Sequence, residues 1–442
     1  MNNAKATTLG IQHLLAMYAG AILVPLIIGG ALGFDSSQMT YLVAIDIMMC
    51  GIATLLQVMR GKAFGIGLPV VLGCTFTAVF PIIAIGTDKG IGAIYGAVIA
   101  SGIIVVLISG FFGKLVKFFP PVVTGSVVTI IGISLIPVAI NNMGGGQGAE
   151  DFGSASNIAL AMTTLVIILL IYRFTTGFTR AISILLGLVI STVIAAFMGK
   201  VDFSPVTDAS WFHMVQPFYF GMPTFDIGAI ITMTLVAMVS LVESSGVYFA
   251  LSDITKQKLE SKDLARGYRS EGLASIIGGI FNAFPYTTFS QNVGLLKMTG
   301  VKERKVIFIT GIMLVALGFL PKVAALTTII PTAVLGGAML AMFGMVVTQG
   351  ITMLAPEISL SPENAMVAAI AVGLGAGVVF VPDIFAVLPE GISILTSNGI
   401  VCGSVTAIVL NIVFNMIGSK KVDPMYTEAK EAVDVAKVAE VK

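Results

Sequence analysis

The sequence predicts an all-α polytopic membrane protein of about 14 transmembrane segments in a seven-plus-seven inverted repeat, with short extended segments in spans 3 and 10. Three observations predict it. Of the 442 residues 57% are hydrophobic and 11% charged, and mean hydropathy is +1.01, where a soluble chain carries about a quarter charged residues. Apolar runs of membrane-crossing length follow one another along almost the whole chain. Two of these runs, at equivalent places in the two halves, are interrupted by Gly and Pro and carry polar side chains in their middles.

The runs fall at 9–33, 39–59, 64–84, 91–113, 119–140, 156–173, 181–199, 226–252, 264–283, 284–300, 303–321, 326–350, 363–382 and 398–418. From Leu9 to Phe34 only His13 interrupts the apolar run. It is too long for a cleavable signal and reads as a retained first helix. An even number of spans puts both termini on one side. Twenty of the 24 basic residues then fall on that side, three (Lys89, Lys200 and Lys322) on the other, and Lys297 lies inside a span. The positive-inside rule makes the terminal side cytoplasmic. Residues 141–157 form a Gly-rich external loop, and 200–225, with the only Trp, Trp211, beside His213, a loop against the membrane interface. The tail after Asp423 has helical spacing and reads as a short solvated helix.

Composition also excludes. The 24 basic and 23 acidic residues nearly cancel, which argues against a nucleic-acid partner. Cys50, Cys74 and Cys402 lie in apolar stretches and support neither a disulfide framework nor a metal site. With two His and no HExxH, an intramembrane enzyme lacks its nucleophile-base pair or metal cluster.

An inverted repeat is faintly visible where Pro120-Pro121-Val122-Val123-Thr124-Gly125 resembles Pro331-Thr332-Ala333-Val334-Leu335-Gly336. The same pairing makes spans 3 and 10 equivalent. Irregular backbone persists at membrane depth only where it lines a cavity or is buried in protein, so this pair points to a transporter's binding site. In span 10, Phe284-Pro285-Tyr286-Thr287-Thr288-Phe289-Ser290 reads as an extended piece feeding a half-helix that begins near Gln291 and Asn292. The two amides either cap that half-helix or, beside its free N–H groups, meet a planar base with alternating donors and acceptors. In span 3, Gly65, Gly67 and Pro69 disfavour regular helix, and Thr75, Phe76 and Thr77 follow. Phe76 either stacks on a base or packs as an ordinary ring.

Ionisable residues inside spans are functional candidates because burying them is costly. Glu243, in Val242-Glu243-Ser244-Ser245-Gly246 of span 8, can accept purine N–H groups or hold a proton; the other reading is a structural carboxyl. Glu271 in span 9 is a proton site or a residue near the cytoplasmic surface, and Asp46 in span 2 leaves the same choice. His13, after Gln12, is a packing residue, a proton relay or a group that orients Glu243. Lys297 is expected to snorkel out of the site.

These residues together resemble the nucleobase-ascorbate transporter family, the nucleobase:cation symporters of the second type, and within it the bacterial xanthine permeases, over about residues 9–418. The family signature is Gln, Glu or Pro, then Asn, any residue, Gly, four residues, Thr, and Arg, Lys or Gly. Gln291-Asn292-Val293-Gly294-Leu295-Leu296-Lys297-Met298-Thr299-Gly300 matches every fixed place. The resemblance implies substrate binding by Glu243, Gln291, Phe76, Thr75, Phe289, Ser290 and Asn292, and proton coupling by Glu243, Glu271 and His13. It implies a core of 9–113 and 226–321, a gate of 119–199 and 326–418, a cytoplasmic tail at 423–442, and a homodimer in the bacterial inner membrane. Val247 stands where some xanthine carriers have Asp, and Glu271 where their ninth-span acid is Asp, so the proton path departs from the family pattern. The expectation is proton-coupled symport of a purine, xanthine first, into the cell by alternating access, with no cofactor or metal. Urate or another base is the alternative substrate, and an anion carrier a more distant reading.

Overall fold

The computed structural model describes residues 2–115, 119–385, 387, 388 and 398–417. The tail predicted at 423–442 lies outside the described residues. In chain order the elements are α1 (Asn3–Ala31), α2 (Ser36–Val58), β1 (Leu72–Cys74), a 3₁₀ turn at Phe76–Ala78, α3 (Val79–Lys89), α4 (Ile91–Leu115), α5 (Pro121–Met143), α6 (Ala155–Phe174), α7 (Gly177–Ala181), α8 (Ser183–Phe197), α9 (Ser204–Asp208), α10 (Ile227–Thr255) and α11 (Ser261–Ile280). Then come β2 (Tyr286–Thr288), α12 (Ser290–Thr299), α13 (Arg304–Gly318), α14 (Pro321–Thr328), α15 (Thr332–Leu360), α16 (Pro362–Phe380), a second 3₁₀ turn (Pro382–Phe385), α17 (Gly399–Asn411) and a π turn (Ile412–Met416).

Among the described residues nine helices are long and apolar enough to cross a membrane, and α13 with α14 make a tenth candidate bent by 82° at Phe319–Leu320. The other expected spans fall on elements that miss those criteria for visible reasons. Only 15 residues form α8, and α11 carries Lys262, Asp263, Arg266, Arg269 and Glu271. Spans 3 and 10 are divided between a strand and a short helix, as Pro69, Pro285 and glycines at φ +87° (Gly65) and +75° (Gly67) require. The twelfth span is shifted: it starts at Thr332, after the helix-stopping Pro331, and runs to Leu360 rather than over 326–350.

The chain divides into two compact units, residues 1–114 with 135–344 and residues 115–134 with 345–442. In the larger unit α2 is the central post, packed on α1, α11, α13, α14 and β1. Asp35 starts it with a capping box, accepting from the Ser37 and Gln38 N–H groups while Gln38 Oε1 accepts from Asp35 N–H. Bonds from the Gln38 N–H and the Ser37 hydroxyl hold this surface carboxyl below its ordinary range. In the smaller unit Val122, Val123, Leu354, Val367, Ala371 and Ala407 form a buried cluster.

The paired PPVVTG and PTAVLG segments each open a helix. Gly125 of the first lies where an added Cβ would stand 3.1 Å from Gly350 O, and Gly336 of the second where it would stand 2.2 Å from Met143 N. In both halves the glycine is the price of close backbone packing.

Candidate functional site

Two three-residue strands build the site. β1 and β2 pair antiparallel with Leu72 opposite Thr288, Gly73 opposite Thr287 and Cys74 opposite Tyr286. The ladder is extended at both ends, by Thr75 N–H to Pro285 O (3.0 Å) and Phe289 N–H to Val71 O (2.9 Å). On the outer edge the Thr54 hydroxyl accepts from Leu72 N–H (3.0 Å) and donates to Leu72 O (3.4 Å), satisfying backbone that has no further strand. Each strand runs straight into a half-helix, β1 through the 3₁₀ turn into α3 and β2 into α12. Two helix N-termini with positive dipole ends therefore open beside the crossing.

The backbone of Phe289 is the N-cap of α12, with no side-chain cap bond, so Gln291 and Asn292 do not cap it. Asn292 Nδ2 instead donates to His13 O and meets His13 Nδ1, both at 3.1 Å, which leaves Asn292 Oδ1 buried without a partner among the described residues. Among the described residues His13 thus bonds to α12.

Residues at the crossing differ in exposure. His13, Thr75, Glu271, Phe289 and Asn292 are buried, while Phe76, Glu243, Ser290 and Gln291 are partly accessible. Glu243 faces the Thr77 hydroxyl; behind it Thr75 Oγ1 donates to Thr77 Oγ1 (3.1 Å) and meets Ser240 Oγ (3.2 Å). The Phe76 ring stands edge-on to Phe343 at 5.5 Å and 6.5 Å from Phe289. The Phe289 ring is packing: a Cβ on Gly73 would come within 2.1 Å of it and one on Gly20 within 2.7 Å. Those two glycines make the slot that holds it.

One position along α10, Ser244 faces another environment. Its hydroxyl donates to Glu271 Oε2 (3.0 Å) and meets Thr287 Oγ1 (2.9 Å). The Tyr248 hydroxyl donates to Glu271 Oε1 and accepts from Gln57 Nε2, which also donates to Gly267 O (3.1 Å). Glu271 is thus an interior residue, 3% exposed, and not one at the surface. Asp46 is fully buried and accepts from the Tyr286 hydroxyl (3.0 Å), tying α2 to β2. Among the described residues none of these three carboxyls has an ion-pair partner, and no group of three or more His, Cys, Asp or Glu is arranged to hold a metal. The residue pattern alone does not single out Tyr248, Gln57 or the role of Tyr286. The available signal was helical spacing, since Tyr248 lies four residues after Ser244 on the same face of α10.

A sequence profile described as the Permease family matches residues 4–384. The chain belongs to this permease family. It is the nucleobase-ascorbate (nucleobase:cation symporter-2) family that the signature at Gln291–Gly300 resembles. Similar relatives include "Xanthine permease" of Bacillus subtilis (strain 168), 63% identical over 417 residues, 94% of this chain and 95% of that one. "Uric acid permease PucK" of the same strain is 60% identical over 413 residues, 93% of this chain and 96% of the relative. Among solved structures, the transmembrane domain of the cyanobacterial bicarbonate transporter BicA matches with a TM-score of 0.62 at 15% identity, covering 93% of this chain and 98% of that domain. At that identity the likeness is one of fold, the seven-plus-seven inverted repeat. This permease is a multi-pass membrane transporter and not an enzyme.

Proposed function

We propose that this permease takes up a purine base, xanthine first, by proton-coupled symport. The observation that carries the reading is the accessible set Phe76, Glu243, Ser290 and Gln291 beside two half-helix N-termini, in otherwise buried surroundings. The Glu243 carboxylate accepts N–H groups of the base, the Gln291 amide and the N–H groups of α12 pair with its carbonyl edge, and Phe76 stacks on its face. Thr75 and Asn292 brace these groups from behind, and the slotted ring of Phe289 fixes where α12 begins. The relative named xanthine permease supports the substrate.

Proton coupling rests on Glu243, Glu271 and His13. Among the described residues Glu271 meets the neutral donors Ser244 and Tyr248 and no cation, so a proton on it cancels a charge that nothing there offsets. Ser244 links its surroundings to Thr287 of β2, and His13 reaches α12 through Asn292. Alternating access then moves a core (9–113 and 226–321) against a gate (119–199 and 326–418), in a homodimer with both termini in the cytoplasm.

The test is radiolabelled xanthine uptake in cells lacking their own purine permeases, comparing the intact chain with Glu243→Gln at equal membrane expression. Saturable uptake that is lost in the variant and collapses with the proton gradient is expected. Uptake unchanged without the gradient refutes the coupling. Urate is the second reading, favoured by the similar uric acid permease; stronger competition by urate than by xanthine would put it first.

A further inference from the structure

Asp46 is the only charged residue in α2, and the transport cycle proposed above makes no use of it. With Cys50, Thr54 and Gln57 it follows spacings of four, four and three, so the four side chains share one face of the helix. All four are buried, and among the described residues no cation reaches Asp46. Three members of this face each hold a different part of the site. Thr54 brackets the Leu72 backbone of β1. Gln57 reaches Tyr248 on α10 and Gly267 O on α11, and its Oε1 accepts from Ile66 N–H (3.3 Å) ahead of β1. Asp46 Oδ1 accepts from the Tyr286 hydroxyl of β2 (3.0 Å), with Cys50 Sγ 4.0 Å from Oδ2. Tyr286 is itself confined: it is buried, and an added Cβ on Gly278 of α11 would stand 3.1 Å from its ring.

We propose that Asp46 is a positioning residue: by holding the Tyr286 hydroxyl it fixes where β2 ends and therefore where the first turn of α12 stands. Register supports it. Tyr286 lies opposite Cys74, so these two side chains leave one face of the ladder, toward Asp46, while Thr287 leaves the other and meets Ser244 Oγ on α10 (2.9 Å). Strand β2 is thus held from both sides, and only Phe289 separates it from Ser290, the first residue of α12. Extended backbone this short has no slack, so a shift at Tyr286 carries with it the N–H groups of α12 and Gln291 beside them. A carboxyl buried without a cation is a costly way to bind a helix to a strand, and specifying one position is the use such a group serves best. The consequence for transport rests on the reading that the base binds at the crossing.

Hydrogen exchange of the full chain in detergent reads the position without any substrate, and xanthine uptake reads its effect on binding. Tyr286→Phe, which removes one oxygen, and Asp46→Leu, which removes the acceptor, each speed exchange of the Phe289 and Asn292 amides about 10-fold, with the amides of α6 unchanged. Both raise KM about 10-fold at a kcat within about 2-fold of the intact chain, and combined they do no more than either alone, since they cut the same bond. Asp46→Asn keeps an acceptor oxygen and stays within about 2-fold of the intact chain in both measurements. If Asp46→Leu does not fold, Tyr286→Phe carries the test. Unchanged exchange at Phe289 in folded Tyr286→Phe, acceleration spread equally to α6, a loss in kcat at constant KM, or Asp46→Asn as impaired as Asp46→Leu overturns the proposal. An intact chain that takes up no xanthine refutes the purine reading alone, and the exchange measurement then decides the role of Asp46 by itself.

Discussion

Glu243 and Ser244 are neighbours on α10, yet they belong to different chemistries. Glu243 is partly exposed and faces the Thr77 hydroxyl. Ser244 is buried in a closed set with Glu271, Thr287, Tyr248 and Gln57. The Glu243 carboxyl has acceptor capacity left for a ligand; that of Glu271 is already met by the Ser244 and Tyr248 hydroxyls. The difference teaches that one helix, by the 100° turn between successive residues, turns Glu243, the proposed substrate carboxylate, one way and Ser244, with the Glu271 network, another.

The sharpest way to break this contrast is Glu243→Gln. Removing charge-assisted acceptance should lower kcat/KM for uptake about 100-fold while Tm stays within about 1 °C, since little structure depends on Glu243; a large loss of Tm would place it in the framework. Glu271→Gln should do the reverse for stability, costing about 2 kcal/mol in a denaturation measurement because Ser244 and Tyr248 lose a charged acceptor. Tyr248→Phe takes one donor from Glu271 and one acceptor from Gln57, and about 1 kcal/mol is expected, less than additive with Glu271→Gln in a double-mutant cycle. Full additivity would dissolve the network into separate bonds. Phe76→Ala should raise KM a few-fold with little change in kcat, the size of a lost ring contact of about 1 kcal/mol. Smallest is Asp35→Asn, remote from both faces. The Asp35 carboxyl titrates below its ordinary value, so its contribution is present at neutral pH and fades as pH falls through the lowered pKa. The Tm gap between the two proteins should therefore close in acid.

Much of this arrangement was legible in residue order, for physical reasons. Prolines and glycines in runs otherwise long enough to be helices announced both extended pieces, and the signature from Gln291 marked the half-helix. Glu271 was ambiguous because Lys262, Asp263, Arg266 and Arg269 precede it and suggest a watery surface. In the structure Lys262 stays exposed, while Arg266 pairs with Asp263 and Arg269 donates to Ser109 Oγ (2.9 Å), so the helix turns its two arginines toward partners rather than toward water. Pairings such as His13 with Asn292 and Asp46 with Tyr286 join residues 279 and 240 positions apart, where periodicity carries no information. The direction of the Phe289 ring was likewise hidden, since it depends on which two glycines lie beneath it.

The ladder between β1 and β2 holds three residue pairs; β2 runs on into α12 across one residue, and β1 into α3 through the 3₁₀ turn. Short as it is, it acts as a rivet. The two half-helices, more than 200 positions apart in the chain, cannot drift separately without breaking backbone bonds that have no water nearby to replace them. In hydrogen exchange the cross-strand amides of Thr75 and Phe289 at the two ends of the ladder should therefore behave as a single cooperative unit, protected and released together.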